Sequence, residues 1–486
     1  MTWEELDPRG MVVTAAAFVG AGIAAAVPTT IGLGWDRAWP WVVGGLVLLA
    51  AAGALIELVR WRRTRYRVTA DRVELRNGIV ARHHRTLPRE RIRVVDLSAD
   101  PLSRVVGLVQ VRIGTGEQGG EGLTLWPVTA ATGEKLRTDL TRADLTRSGD
   151  PTADGVLATV PTAWLGFGPL SFVTPLLGLG AGGVLVNVAE WVGLQDDLFG
   201  WIGGLAQALG LTALILLATA AVAVVGTVAA LAVHVELWWR HRLEREPNGT
   251  LRVRRGLLTT RSISIEERRL RGVDLVEPLG TRLAGAARVD AVATGMKKPG
   301  EEDKTESSTL LPAAPRAEAL RVAERVLGAP VLESTLAPHP RAARGRRIRW
   351  GLAAVVGFVL VLAVLGLLVW TPLLHVAWIA AVVGTPIAVA VALDAYRALG
   401  HALTDRYVVA RHGSVRRTTV ALDRAGIVGW TVRRTWFQRR AGLLTLTATT
   451  GAGSGGYPIP DVGESAGLAL AGEAGGEVVG QFLVRA

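Results

Sequence analysis

Hydrophobic and polar positions follow two regimes along this chain. Six long apolar runs, about 11–33, 39–59, 163–189, 204–238, 350–371 and 375–396, carry almost no charge. An α-helix rises about 1.5 Å per residue, so roughly 20 such residues cross a hydrocarbon core. The runs come in pairs with short connections, DRAWP, EWVGLQDDLFGW and TPLLH. After each pair the pattern switches to apolar residues at every second position, as in half-buried strands. Each β-rich stretch then ends in an amphipathic helix, expected over roughly 129–144, 313–328 and 462–484. The predicted fold is that of an α+β integral membrane protein with six transmembrane helices in three hairpins, at 1–59, 160–238 and 350–396. A small β-sandwich or open barrel, capped by its C-terminal helix, follows each hairpin at 60–147, 239–335 and 397–486.

The three β-rich stretches are copies of one unit. Gly78, Gly256 and Gly413 align, each where a hairpin turn needs positive φ. Asp96 and Asp274 then coincide, eighteen residues beyond their glycines, within VVDLSADPLSRVVGLVQV and GVDLVEPLGTRLAGAARV. In the third copy QRRAGLLTLTATTGAG takes the place of LSRVVGLVQVRIGTGE, and Trp430-Thr431 replaces the Val-Asp pair. Pro127, Pro312 and Pro460 close the last strand of each copy and are expected in the first turn of the helix, where a missing N–H is harmless. The second copy carries a polar insertion, MKKPGEEDKTESS, at 296–308.

Paired apolar runs followed by strand, Gly turn, strand and then V-D-L…P-L…G-L resemble the bacterial pleckstrin-homology (PH) family. The resemblance is to its membrane-bound kind, with three such domains each preceded by two transmembrane helices. It implies PH-like units that bind or scaffold rather than catalyse. It further implies a smaller two-helix membrane protein of the same family as partner, and a role in envelope stress or resistance to membrane-active peptides. The phosphoinositide ligand of eukaryotic PH domains does not carry over to a bacterial membrane.

Charge adds sidedness. Arg60, Arg62, Arg63, Arg65 and Arg67 follow the second run, Arg240, Arg242 and Arg245 follow the fourth, and Arg341, Arg344, Arg346, Arg347 and Arg349 precede the fifth. The positive-inside rule therefore puts the tight turns outside and the β-rich units in the cytoplasm, and the resemblance implies that the membrane is a bacterial plasma membrane. This topological demand, with an Arg-rich codon bias, accounts for the net charge of +12, so nucleic acid is not expected as a partner. Most of the sixteen Trp mark span ends as an interfacial belt.

Chemistry-bearing motifs are sparse. The chain has no cysteine, which excludes disulfides, thiolate metal sites and Cys nucleophiles. GTGEQG at 114–119 runs into a strand rather than a helix, so it reads as a hairpin turn and not a dinucleotide loop. The eight His, including His83-His84, fall into no metal spacing, and no Ser has triad partners. No cofactor and no enzymatic activity are expected.

Two features remain as candidate sites. One is a set of basic ribbons: Arg82, Arg85, Arg89, Arg91 and Arg93 in the first copy, Arg254, Arg255, Arg261, Arg268, Arg269 and Arg271 in the second, Arg411, Arg416, Arg417 and Arg424 in the third. They read either as contacts for membrane lipids or an acidic partner, at about 1 kcal/mol per residue near an anionic surface, or as a solvated sheet face. The other is Glu57, Glu236 and Asp394, at the cytoplasmic end of the second span of each pair, with Arg60, Arg240 and Arg397 three or four residues on. An intramembrane acid is the mark of an ion path, which makes a six-helix transporter or ion-coupled carrier the rival reading. Interfacial depth favours simple ion pairs that fix the helix exit. Pro28 and Pro175 are expected to kink the first span of their pairs.

Overall fold

In the computed structural model the described residues are 3–33, 35–78, 83–92, 94–114, 122–142, 155–171, 173–246, 249–294 and 308–480. Arg82, Arg93, nearly all of the insertion and most of GTGEQG lie outside them, as does the side chain of Arg91. The chain divides into two compact units, Met1–Glu267 and Arg268–Ala486.

The first unit runs β1 (Glu4–Glu5), α1 (Gly10–Leu33), α2 (Trp35–Arg63), β2 (Arg65–Val68), β3 (Arg72–Asn77), β4 (His83–Pro88), β5 (Val94–Ala99), α3 (Pro101–Val106), β6 (Leu108–Gly114), β7 (Leu123–Thr129) and α4 (Ala130–Arg142). It continues through β8 (Val156–Thr159), α5 (Val173–Val192), α6 (Gln195–Leu209), α7 (Leu211–Trp238), β9 (Arg242–Glu246), β10 (Thr250–Arg255) and β11 (Thr260–Glu266). The second unit holds β12 (Leu270–Pro278), α8 (Leu279–Leu283), β13 (Ala286–Ala293), β14 (Thr309–Pro315), α9 (Arg316–Leu327), β15 (Ala337–Pro338), α10 (Arg341–Leu368) and α11 (Leu373–Arg397). It ends with β16 (Gly400–Leu403), β17 (Tyr407–His412), β18 (Arg416–Asp423), β19 (Ile427–Arg433), α12 (Trp436–Arg440), β20 (Leu443–Thr450), β21 (Gly456–Gly463) and α13 (Glu464–Gly480). Three strands, a 3-10 turn, a strand, a short helix, two strands and a closing helix thus recur three times.

Five helices among the described residues are long and apolar enough to cross a membrane, within α2, α5, α7, α10 and α11, and α1 adds an apolar stretch at Gly10–Ala26. The second pair departs from the expected 163–189 and 204–238. Thr162–Leu170 is a 3-10 segment, α5 starts only at Val173, and Gly210 at φ 79° separates α6 from α7. The expected polar turn EWVGLQDDLFGW is therefore mostly helix. Pro175 falls in the first turn of α5, where no backbone bond is lost, so it does not kink that helix. Close approach seats α5 on α7: a Cβ on Gly226 would collide with the carbonyl oxygen of Thr174, and one on Gly178 with that of Val222.

Gly78, Gly256 and Gly413 have φ of 138°, 112° and 93°, as the hairpins require. The prolines sit elsewhere than expected. Pro127, Pro312 and Pro460 lie inside β7, β14 and β21, ahead of the closing helices. All three strands are sheet edges, where a missing N–H breaks no ladder bond.

The sheets do not stop at the repeat boundaries. The strand order is β1-β2-β3-β4 in a four-stranded sheet, β7-β6-β5-β11-β10-β9-β8 in a seven-stranded one, β14-β13-β12-β18-β17-β16-β15 in another, and β19-β20-β21 in a three-stranded one. Each seven-stranded sheet joins the last three strands of one copy to the first four of the next. The joints are antiparallel, with Leu97 opposite Ser262 and Leu275 opposite Thr419. Because opposed residues share a face, Leu97 and the buried Ile263 lie on opposite faces of one sheet. One half therefore serves the first core, where Tyr66, Val73, Leu75, Val95, Leu97 and Leu125 pack with Leu136 and Leu140 of α4. In the second unit, Val408, Val420, Leu446 and Ile459 pack likewise against Leu470 of α13. Each such aliphatic side chain contributes about 1.5–3 kcal/mol on burial.

Gly226→Ala should lower stability by about 1–3 kcal/mol by wedging α5 from α7. Gly204→Ala, where a Cβ meets open space, should leave it unchanged. Thermal unfolding in detergent reads the difference.

Candidate functional site

The recurring acids lie where helices hand over to sheets, and each is held differently. Glu57, 2% exposed, accepts from Thr14 Oγ1 at 3.4 Å and lies 3.6 Å from Arg60. Arg60 also donates to the carbonyl of Trp126 at 2.8 Å and stacks on its ring, tying α2 to β7. Glu236 does not pair with Arg240. Its carboxylate accepts the backbone N–H groups of Leu258 and Thr259 at 2.9 and 2.8 Å, capping the turn between β10 and β11. Asp394 does not pair with Arg397, whose side chain is exposed. It accepts from Ser414 Oγ at 2.7 Å in the turn between β17 and β18, and from Arg282 and Arg417 at 2.9 Å each. Backbone donors and a better-placed arginine win because a turn N–H is fixed, whereas a neighbouring Arg on the same helix must give up side-chain entropy.

A second group completes each seam. Arg104 of α3 donates to the carbonyl oxygen of Leu257, and Arg282 of α8 to that of Ser414 at 3.0 Å. Both arginines sit at the same position of their copies, and both acceptors lie in the turn that the acid holds. The seam is thus a three-part lock: helix-end acid, hairpin turn, and an arginine from the preceding copy.

One cluster was not legible in the sequence. Arg137 of α4 pairs with Glu134 at 2.9 Å and Glu246 at 3.0 Å, and Arg252 pairs with Glu134 at 2.8 Å and Glu246 at 3.4 Å. Arg252 also donates to Ser262 Oγ at 3.0 Å, and Arg137 to Ser264 Oγ at 3.3 Å. The closing helix of the first copy is thereby pinned across β9, β10 and β11. These four residues recur in neither of the other copies, so repetition gave no signal for them.

The basic ribbons do not form one cationic face. Arg89 donates to the carbonyls of Thr69 at 3.3 Å and Asp139 at 2.5 Å, and Arg424, at the equivalent position, to those of Asp405 at 3.1 Å and Glu473 at 2.5 Å. Both fasten a 3-10 turn to the closing helix. Arg255 is buried over the Trp238 ring, Arg269 is buried, and Arg271 packs its stem beside Gly426. Arg261 is half-buried near Asp96, Arg411 donates to the Ala398 carbonyl at 3.2 Å, and Arg417 holds Asp394. Arg85, Arg254, Arg268 and Arg416 are exposed.

A groove of about 1090 Å³ runs along α10 and α11, lined by Trp350, Phe358 and Ile387 among others. At its polar end Asp461, fully buried, lies 2.6 Å from Arg346 and 3.2 Å from Arg347. Its dimensions and lining suit an acyl chain.

The joined sheets also bury two equivalent carboxyls. Asp96 and Asp274 each leave Oδ1 buried without a hydrogen bond. Burial pushes both up to about 7, against the pull of Arg112, Arg255 and Arg261 on Asp96. For Asp274 the carboxylate of Asp290 adds to burial, while Arg416 and Arg288 oppose it. With folded pKa above unfolded, the protonated form stabilises the fold at low pH, and that stabilisation is lost as pH rises toward and through 7. Asp96→Asn with Asp274→Asn should flatten this decline and raise the unfolding temperature at pH 8 more than at pH 5. Thermal melts across that range test it.

No curated protein and no solved structure matches the chain. The family described as Bacterial PH domain matches residues 16–143 and 352–474, which together make up more than half of the chain. Those stretches hold α1 to α4 with the first two sheet halves, and α10 to α13 with the last two, the same helix-to-sheet handover that the acids fasten. The chain belongs to the bacterial PH domain family.

Proposed function

We propose that this protein is a non-enzymatic, membrane-anchored scaffold. Three helix pairs, counting α1 with α2, hold three PH-like units at the inner leaflet of a bacterial plasma membrane. There the units present lipid- and protein-binding surfaces, with membrane lipids and a smaller two-helix member of the family as partners, in envelope stress or resistance to membrane-active peptides. The observation that carries the reading is the seam. Glu236 and Asp394 bolt helix ends to sheet turns, which gives rigid presentation. An ion carrier would need those carboxylates free to load and release. The groove along α10 and α11 supports contact with a lipid chain, and Arg85, Arg254 and Arg416 offer exposed charge to anionic headgroups.

Trypsin added to intact spheroplasts should spare the arginine-rich units, and trypsin added to inverted vesicles should cut them. In proteoliposomes of phosphatidylethanolamine and phosphatidylglycerol with a trapped pH dye, the wild type and Glu57→Gln/Glu236→Gln/Asp394→Asn should pass protons equally slowly. The variant should be cut faster at the turns near Gly256 and Gly413. Proton flux that depends on the acids would replace the scaffold with a carrier.

A further inference from the structure

The two sheet joints are the same joint. With the copies aligned on Gly78, Gly256 and Gly413, Leu97 and Leu275 share one position, and Ser262 and Thr419 share another. Leu97 faces Ser262 in one joint and Leu275 faces Thr419 in the other, so the register is identical. The arginine that grips the adjoining turn is also identical in position, Arg104 in one and Arg282 in the other.

Among the described residues, the first and third copies each leave half of this joint without a mate. β19 corresponds to β5 and β12, yet among those residues it is the open edge of its three-stranded sheet. β4 corresponds to β11 and β18, yet it is likewise the open edge of its four-stranded sheet. Val432 stands where Leu97 and Leu275 stand, and it is 46% exposed where they are 8% and 1%. Val428 is 82% exposed on the same strand. The middle of β19 carries none of the Lys or Pro residues that usually blunt a solvent edge. Arg439 stands where Arg104 and Arg282 stand, and its exposed guanidinium has no partner among the described residues. The neighbouring Arg440, in contrast, stacks on Trp436 at 4.3 Å.

We propose that the protein assembles head to tail with a second copy of itself, β19 of one chain extending the four-stranded sheet of the next through β4, and Arg439 gripping a backbone carbonyl of the incoming chain. The occupant is a second copy because the two unmatched halves are complementary and this chain carries both. Strand addition supplies main-chain hydrogen bonds, and the common register supplies specificity. The interface is heterologous, so it builds a closed ring or an open row, in either case with every chain in the same bilayer orientation.

The register places His84 of one chain opposite Val432 of the next, close enough for a disulfide. The chain has no native cysteine, so engineered pairs report without background. Full-length chains carrying His84→Cys and Val432→Cys on different affinity tags should, when co-expressed and oxidised in the membrane, give a mixed dimer bearing both tags. His84→Cys with Val428→Cys, four residues out of register, should give at least tenfold less. Adding Arg439→Ala should cut the yield several-fold, whereas Arg440→Ala should not. As a readout without cysteines, light scattering in mild detergent should show two or more chains per particle for the wild type and one for Arg439→Glu. The proposal fails if the mixed dimer is absent while the wild type is a single chain. It also fails if a chain made to carry both His84→Cys and Val432→Cys crosslinks only within itself, or if Val432→Cys captures a different protein and no second copy.

Discussion

A strand at a sheet edge exposes a ladder of backbone donors and acceptors that must be paired, covered or hydrated. Small β-units strung along a membrane chain would each present such edges. This chain pairs four of them by setting an edge strand of one copy beside an edge strand of the next, so that β5 meets β11 and β12 meets β18. Sheets that cross repeat boundaries then dictate much else. They place the apolar residues of adjoining halves on opposite faces, and they bring α4 over strands of the following copy. They also bury Asp96 and Asp274 where a lone edge strand would leave them hydrated.

The helix-end acids gain their meaning from the same constraint. A turn whose strand is locked into a neighbouring sheet is a fixed set of donors, and Glu236 and Asp394 exploit it. Among the described residues Glu57 takes its partners from its own helix pair, Thr14 and Arg60. The arginine excess that looks like a headgroup-binding ribbon is spent largely inside the protein. Arg89 and Arg424 fasten closing helices, Arg104 and Arg282 grip turns, and Arg137 and Arg252 share two glutamates.

What could be read from the sequence was local. Apolar length pointed to the five helices that are long and apolar enough to cross a membrane, alternation gave the strands, and glycine at positive φ gave the hairpins at Gly78, Gly256 and Gly413. Non-local features were hidden. Nothing in VVDLSA or TRSISIE says that one strand lies beside the other, because sheet pairing between copies is a property of assembly rather than of period. The helix α6 escaped notice because its first turn, with Asp196 and Asp197, looks like a polar turn, and Gly210 interrupts what reads as one apolar run. The three prolines were misplaced by a few residues, since an edge strand tolerates them as readily as a helix start does. Arg104 and Arg282 occupy one position of the repeat, but their grip on a turn became visible only with the neighbouring strand in place.

The strand-lending account is tested most directly by amide hydrogen exchange on the full-length protein in lipid nanodiscs. It requires β5 and β11 to exchange slowly and together, as a single cooperative block with β6 and β10, and β12 and β18 to do the same. Exchange of β9 to β11 on a timescale independent of β5 to β7 would mean that the copies fold as separate sheets, and the account would be wrong.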